Sequence, residues 1–267
     1  MNIQDQTIVL TGASGGIGEA AAKQLARADA RVCLVARRED ELQRVRREIE
    51  AEGGRAWIYP CDLADPAALD ACAERILREH ARIDVLVNNA ARSIRRPIVD
   101  ALDRMHDYER TMQLNYFGAV RLTLKFLPRF LEQRAGHVVN ISTMSAQIPI
   151  PLFSAYLASK SALESFTRSL LAELSHRGVT ATVVYFPMVR TSMSSKTDIY
   201  RHMPMMNAER AARWIVAAVD KRPARIASPL GNLGGVVMAA VPGAATRWTQ
   251  PLFRLMDKRL KQKLKSD

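Results

Sequence analysis

Two periodicities alternate along the chain. Short runs dense in apolar and β-branched residues read as strands over 7–10, 31–35, 56–59, 85–88, 137–141, 180–186 and 225–227. Longer stretches with apolar residues at helical spacing lie between them, over 19–28, 40–52, 66–80, 106–133, 154–177 and 208–220. Gly178 stands where a helix C-cap is expected, just before the sixth strand. Strand–helix alternation predicts parallel strands joined by right-handed crossovers, with helices covering both faces of one sheet. Ligands of such a sheet bind beyond the carboxyl ends of its strands.

The first strand end carries a chemical signal. Thr7-Ile8-Val9-Leu10 runs directly into Thr11-Gly12-Ala13-Ser14-Gly15-Gly16-Ile17-Gly18, and a helix-forming segment follows. Glycines at 12, 16 and 18 in that setting supply a tight turn, close approach of backbone to a pyrophosphate, and close helix–strand packing. The helix N-terminus offers unpaired N–H groups and a positive dipole end to phosphates. The fold class is therefore α/β, a Rossmann-type doubly wound parallel sheet of seven strands with helices on both faces.

A second signal lies in Ser-Ala-Tyr156-Leu-Ala-Ser-Lys160. Residues at i and i+4 share a helix face, so a phenol stands beside an ammonium group. A free tyrosine titrates near pH 10 and is a poor acid–base catalyst at neutral pH; a nearby cation favours the phenolate. The lysine is expected to lower the tyrosine on that account.

The glycine loop and the Tyr–Lys pair together resemble the short-chain dehydrogenase/reductase family, and within it the stretches 92–96, 106–112, 188–193, 196–200 and 221–227 resemble bacterial fatty acyl-CoA reductases. Val85-Leu86-Val87-Asn88-Asn89-Ala90-Ala91 resembles the family's element after the fourth strand, with Ala91 where glycine is usual. The resemblance covers roughly residues 5 to 228 and implies the catalytic set Asn115, Thr143, Tyr156 and Lys160. Asn115 would hold its helix open for a water relay, and Lys160 would also bind the nicotinamide ribose. The family's serine lies thirteen residues before the tyrosine, and 156 − 13 = 143, which is threonine here. Threonine keeps the hydroxyl but stiffens χ1. Ser142 is the alternative, and successive strand residues face opposite ways, so only one of the two can serve. The implied cofactor-binding set is Gly12, Ser14, Gly15, Gly16, Ile17, Gly18, Arg37, Arg38, Asp62, Leu63, Asn89, Ala90, Tyr156, Lys160, Val189 and Thr191. Met188 replaces the glycine usual after Pro187.

The end of the second strand bears on the cofactor. An acidic residue there binds a ribose 2′-hydroxyl, whereas arginine accommodates a 2′-phosphate. The chain reads Val35-Ala36-Arg37-Arg38, so NADP (NADPH) is expected, with Arg37 the first candidate. No metal site is expected: Cys33, Cys61 and Cys72 lack ligand spacing and read as buried apolar residues of a reducing compartment.

The 267 residues carry 39 Lys and Arg against 27 Asp and Glu, a net charge of +12. No nucleic-acid motif accompanies this charge, so an acidic small ligand or surface is the expected counterpart. Arg92, Arg95 and Arg96 are candidates for the phosphates of an acyl-CoA, since guanidinium forks match phosphate oxygens. A keto-lipid, steroid or simple aldehyde would need no such loop. Residues 1–228 read as the NADP-binding catalytic domain and 229–267 as a C-terminal extension. Leu252, Met256, Leu260 and Leu264 recur every fourth residue there among lysines and arginines. That basic amphipathic helix suits an anionic membrane, the protein's own domain or a partner subunit. The first residues are polar, with no apolar leader, which points to the cytoplasm and at most a peripheral place at the membrane. The resemblance implies a homodimer or homotetramer.

Overall fold

The computed structural model describes residues 3–148, 150–191 and 205–244, together with 247, 250, 251 and 254. Seven parallel strands form one sheet in the order β3-β2-β1-β4-β5-β6-β7. They are β1 (Thr7–Thr11), β2 (Arg31–Ala36), β3 (Arg55–Pro60), β4 (Val85–Asn88), β5 (Gly136–Thr143), β6 (Val179–Phe186) and β7 (Arg225–Ala227). The order reverses between β1 and β4, which opens the ligand crevice of a doubly wound sheet at their carboxyl ends.

Strand alternation feeds two cores. Ile8, Leu10, Val32, Leu34, Val85 and Val87 face α1 (Gly16–Arg27), α2 (Glu39–Ala51) and α8 (Ala208–Lys221). Val9, Cys33, Val35 and Leu86 face α3 (Pro66–Glu79), α5 (Ala119–Glu132) and α7 (Ser154–Leu174), where Phe126 and Phe130 are fully buried. Both faces of each central strand are thus covered, which is why these strands read as continuous apolar runs. All three cysteines are free and buried. No helix among the described residues is long and apolar enough to cross a membrane.

Three elements depart from the expected pattern. The stretch expected as one helix over 106–133 is three pieces: α4 (Met105–Met112), a π-helical turn (Gln113–Gly118) and α5. A four-residue helix α6 (Met144–Gln147) follows β5 at once, capped by the Thr143 side chain, which accepts from Ser145 N at 3.2 Å. The third is α9 (Pro229–Ala240), which packs on α6. The Leu252, Met256, Leu260 and Leu264 stripe lies outside the described residues, as do residues 192–204.

Candidate active site

The glycine loop is held at the crevice by β1 and β4. Thr11 Oγ1 donates to Val87 O at 3.1 Å and accepts from Asn89 N and Ala90 N at 2.9 and 3.0 Å. Asn89 Nδ2 donates to Thr11 O at 2.9 Å, so Asn89 and Ala90 buttress the loop from below. Gly12 has φ +69°, and a Cβ there would stand 2.9 Å from Asn89 Nδ2. A Cβ on Gly18 would collide with the Gly12 carbonyl. Both positions therefore exclude side chains, leaving bare backbone at the head of α1, whose first N–H groups have no partner within the helix. Thr191 Cγ2 lies 3.4 Å from a Cβ placed on Gly16, which brings the segment after β6 onto the loop. Val189 is held by a parallel bridge to Met206.

The two arginines after β2 have different partners. Arg38 Nη2 donates to Ser14 O at 3.3 Å and so spans the loop itself, while Arg37 leans to Asp62 at 3.9 Å. Both are more than half exposed and lightly held. Asp62 Oδ1 accepts from Ala64 N at 3.0 Å, which turns the chain after β3, and the Leu63 carbonyl packs on Gly118. A cradle of bare backbone with guanidinium groups at its edge fits a dinucleotide, and one with a 2′-phosphate in particular.

The catalytic candidates converge beside this cradle. Asn115 is 1 % exposed in the π-turn; its Oδ1 accepts from Arg92 N at 2.8 Å, and its Nδ2 donates to Arg92 O at 2.8 Å and Ser159 Oγ at 3.0 Å. Ser159 in turn donates to Tyr156 O at 2.7 Å, so Asn115 sets the helix that carries the tyrosine. Lys160 is 1 % exposed, donates from Nζ to Ile141 O at 2.7 Å, and lies 5.9 Å from the Tyr156 ring centroid. Thr143 Oγ1 keeps its own proton to donate, having used a lone pair on Ser145 N. Ser142 Oγ is buried with no hydrogen-bond partner, not bonded to backbone as a structural hydroxyl would be.

The tyrosine pKa differs from the expected direction. Tyr156 is only half-buried by surface, yet its phenol sits deep enough that burial pushes it up to about 12. Burial also pushes the Lys160 ammonium down to about 8. The cation is bonded to a carbonyl on β5 and does not offset the desolvation of the phenol.

Residues 6–200 match the family described as short chain dehydrogenase. The chain is a short-chain dehydrogenase/reductase. This oxidoreductase is 46 % identical over 90 % of its length to a fatty acyl-CoA reductase of Acinetobacter baylyi, covering 82 % of that protein. It is 41 % identical over 97 % of its length to a fatty acyl-CoA reductase of Mycobacterium tuberculosis, covering 87 % of it. A bovine dehydrogenase/reductase SDR family member 7B is 33 % identical over 99 % of the chain and covered to 84 %. A metagenomic short-chain oxidoreductase solved in complex with NADP superposes with a TM-score of 0.74 at 28 % identity, over 85 % of this chain and 98 % of that one.

The dehydrogenase contains functional groups that spacing alone does not flag. Asn88 and Asn140 face each other across β4 and β5, bonded at 2.8 Å, and extend the chain of bonds to Thr123 and to Thr167. This buried polar line locks α5 and α7 to the strand ends. Gln147 in α6 is buried with both amide atoms unpaired, as is Arg95 Nη2. Asp107 is 2 % exposed and binds Arg96 and Arg104 at 3.0 and 3.1 Å and Arg110. Burial acts to raise its pKa, but hydrogen bonds from Arg104, Arg110 and Arg96 outweigh it and hold the carboxyl at about 2. Arg96, expected to meet a ligand phosphate, is thus engaged by Asp107; its backbone N also donates to Leu152 O at 2.7 Å. Among the described residues no group of three His, Cys, Asp or Glu side chains could hold a metal ion.

Proposed function

We propose that this chain reduces a long-chain acyl-CoA thioester to the fatty aldehyde with NADPH. The observation that carries the reading is the arginine group at the edge of the catalytic site. Arg96, Arg104 and Arg110 converge on the buried carboxylate of Asp107. Arg92 and Arg95 add to the group, and the Arg92 backbone is bonded to Asn115. Arg92 is thus joined through Asn115 and Ser159 to the helix that carries Tyr156. Relatives at 41 to 46 % identity that bear the name fatty acyl-CoA reductase support the substrate class. Arg37 and Arg38 beside the glycine loop support NADPH over NADH, as does the NADP complex of the structural relative.

Bound NADPH supplies the hydride for the carbonyl carbon. Gly12 to Gly18 and the head of α1 take the pyrophosphate, Arg38 and Arg37 the 2′-phosphate, and Asp62 and Leu63 the adenine side. Thr143 Oγ1 donates to the carbonyl oxygen, where negative charge develops, and Tyr156 transfers its proton to that oxygen. With a pKa near 12 the phenol is fully protonated at neutral pH, which suits it as the acid of a reduction. Lys160, still cationic below pH 8, steadies the charge on the tyrosine oxygen as the proton leaves. Asn115 and Ser159 hold the carbonyl end of Tyr156 in place. Collapse of the reduced thioester then releases the aldehyde and the coenzyme A thiol.

Arg92→Ala with Arg95→Ala tests the substrate. The pair should raise KM for palmitoyl-CoA about tenfold or more and leave KM for a free long-chain aldehyde unchanged. Equal effects on both substrates would refute the phosphate-binding role and favour a keto-lipid or aldehyde as the natural substrate.

A further inference from the structure

A cavity of about 380 Å³ opens at the end of the sheet opposite the cofactor crevice. Its walls are residues that begin strands. Gln6 precedes β1, Arg31 opens β2, Asp84 precedes β4, Gly136 opens β5, and Arg222 caps α8. The five residues of β1 separate it from the glycine loop. At roughly 3.3 Å per residue that distance is about 16 Å. The cavity shares no residue with the catalytic or cofactor-binding sets. Its volume is that of a small-molecule pocket, about 300 to 1,000 Å³.

Three arginines and two carboxylates line it, and both carboxylates are engaged. Asp84 is 7 % exposed; its Oδ2 accepts from Thr7 N at 2.9 Å and its Oδ1 from Arg82 Nε at 2.6 Å. Asp5 Oδ1 accepts from Arg55 Nη2 at 2.8 Å, from outside the lining. Arg31 and Arg222 stand apart: the Nε of each is buried with no hydrogen-bond partner. Neighbouring charges leave the balance positive. Within two residues of the lining, Asp29 and Asp220 are matched by Arg134 and Lys221, so with Arg55 six cations face four carboxylates. His80 and His137 add no charge at neutral pH, since burial pushes both down.

Arg222 is a poor choice for the fold alone. It ends α8 in the left-handed region, φ 49° and ψ 42°, where glycine is the usual residue. Burial also pushes its guanidinium pKa down, against the pull of the Asp84 carboxylate. A glycine would relieve both the backbone and the buried donor. We infer that this cavity binds a small molecule through a phosphate group, with Arg31 and Arg222 donating to its oxygens and Arg82 standing at the rim. Two guanidinium groups with unused donors match a doubly charged phosphate, and the remaining volume takes the organic part. The site stands on its own geometry and does not rest on the proposed reaction.

Full-length protein saturated with NADPH, so that the crevice is filled, is titrated calorimetrically with inorganic phosphate at constant ionic strength. The wild type should bind one phosphate per chain. Arg222→Gly and Arg31→Gln should each weaken binding at least about tenfold, and Lys221→Gln, an exposed neighbour outside the lining, should bind as the wild type does. Without phosphate, Arg222→Gly should melt no lower than the wild type, because glycine suits the left-handed cap. A lower melting temperature would make Arg222 a structural cap and overturn its part in the site. Phosphate unbound by the wild type, bound equally by both arginine variants, or lost equally in Lys221→Gln would overturn the proposal. Turnover of palmitoyl-CoA has no part in the readout, so failure of the reductase reading leaves this outcome separate.

Discussion

Lys160 is a charge placed where charge is costly, and replacing it should give a stability change whose sign depends on pH. Its ammonium is 1 % exposed, donates to Ile141 O at 2.7 Å, and is held down from 10.5 to about 8 by burial. The difference of roughly 2.5 pKa units amounts to about 3 kcal/mol at about 1.36 kcal/mol per unit. Because the folded value is the lower one, the unfolded chain keeps its proton through a window from about pH 8 to 10.5 in which the folded protein has lost it. The cost is therefore fully present below pH 8 and is relieved as pH rises to 10.5. Lys160→Met removes it and leaves Ile141 O unpaired, at about 1 to 3 kcal/mol. At pH 7 the variant should match or exceed the wild type by up to about 2 kcal/mol; near pH 10.5 it should be weaker by about 1 to 3 kcal/mol. Urea unfolding of both proteins, without dinucleotide and at one protomer concentration, measures the difference at each pH. A difference that stays flat from pH 7 to 10.5 would refute the buried-charge reasoning, whatever the variant does to activity.

Three further outcomes follow from the site. Arg37→Ala with Arg38→Ala should raise KM for NADPH about 10- to 100-fold while leaving NADH within about threefold, read from initial rates with each cofactor. Thr143→Ala should lower kcat about 100-fold or more, Thr143→Ser should restore most of it, and Ser142→Ala should leave kcat within about threefold. Loss of kcat in Ser142→Ala alone would exchange the roles of the two hydroxyls. Carbonyl reduction at saturating substrate should fall as pH rises through about 8, where Lys160 loses its charge, and a profile flat to pH 10 would show that the ammonium is not needed.

The parallel sheet was legible because its strands are buried on both faces and stand out as apolar runs between helical stretches; all seven were placed within two residues at each end. The glycine loop was legible for a different reason: Gly12 and Gly18 are fixed by what surrounds them, and the strand–loop–helix order reports that. The break in the helix over 106–133 left no trace in the residue pattern, because it depends on Asn115 reaching residues 92 and 159; only the family resemblance implied that Asn115 holds its helix open. Helix α9 carries three glycines over twelve residues, so propensity speaks against it, and packing on α6 decides. The engagement of Arg96 by Asp107 joins a loop to a helix eleven residues on. Burial likewise decided the direction of the Tyr156 shift, and a four-residue spacing gives proximity without depth.

The central claim is a hydride transfer from NADPH to an acyl thioester with Tyr156 as the acid. Its most direct test is NADPH oxidation with palmitoyl-CoA, followed by absorbance, with aldehyde and free thiol quantified and Tyr156→Phe as control. The account predicts one aldehyde and one thiol per NADPH consumed, and loss of turnover in Tyr156→Phe with NADPH binding retained. Turnover that survives in Tyr156→Phe, or NADPH bound with palmitoyl-CoA left intact, would contradict it.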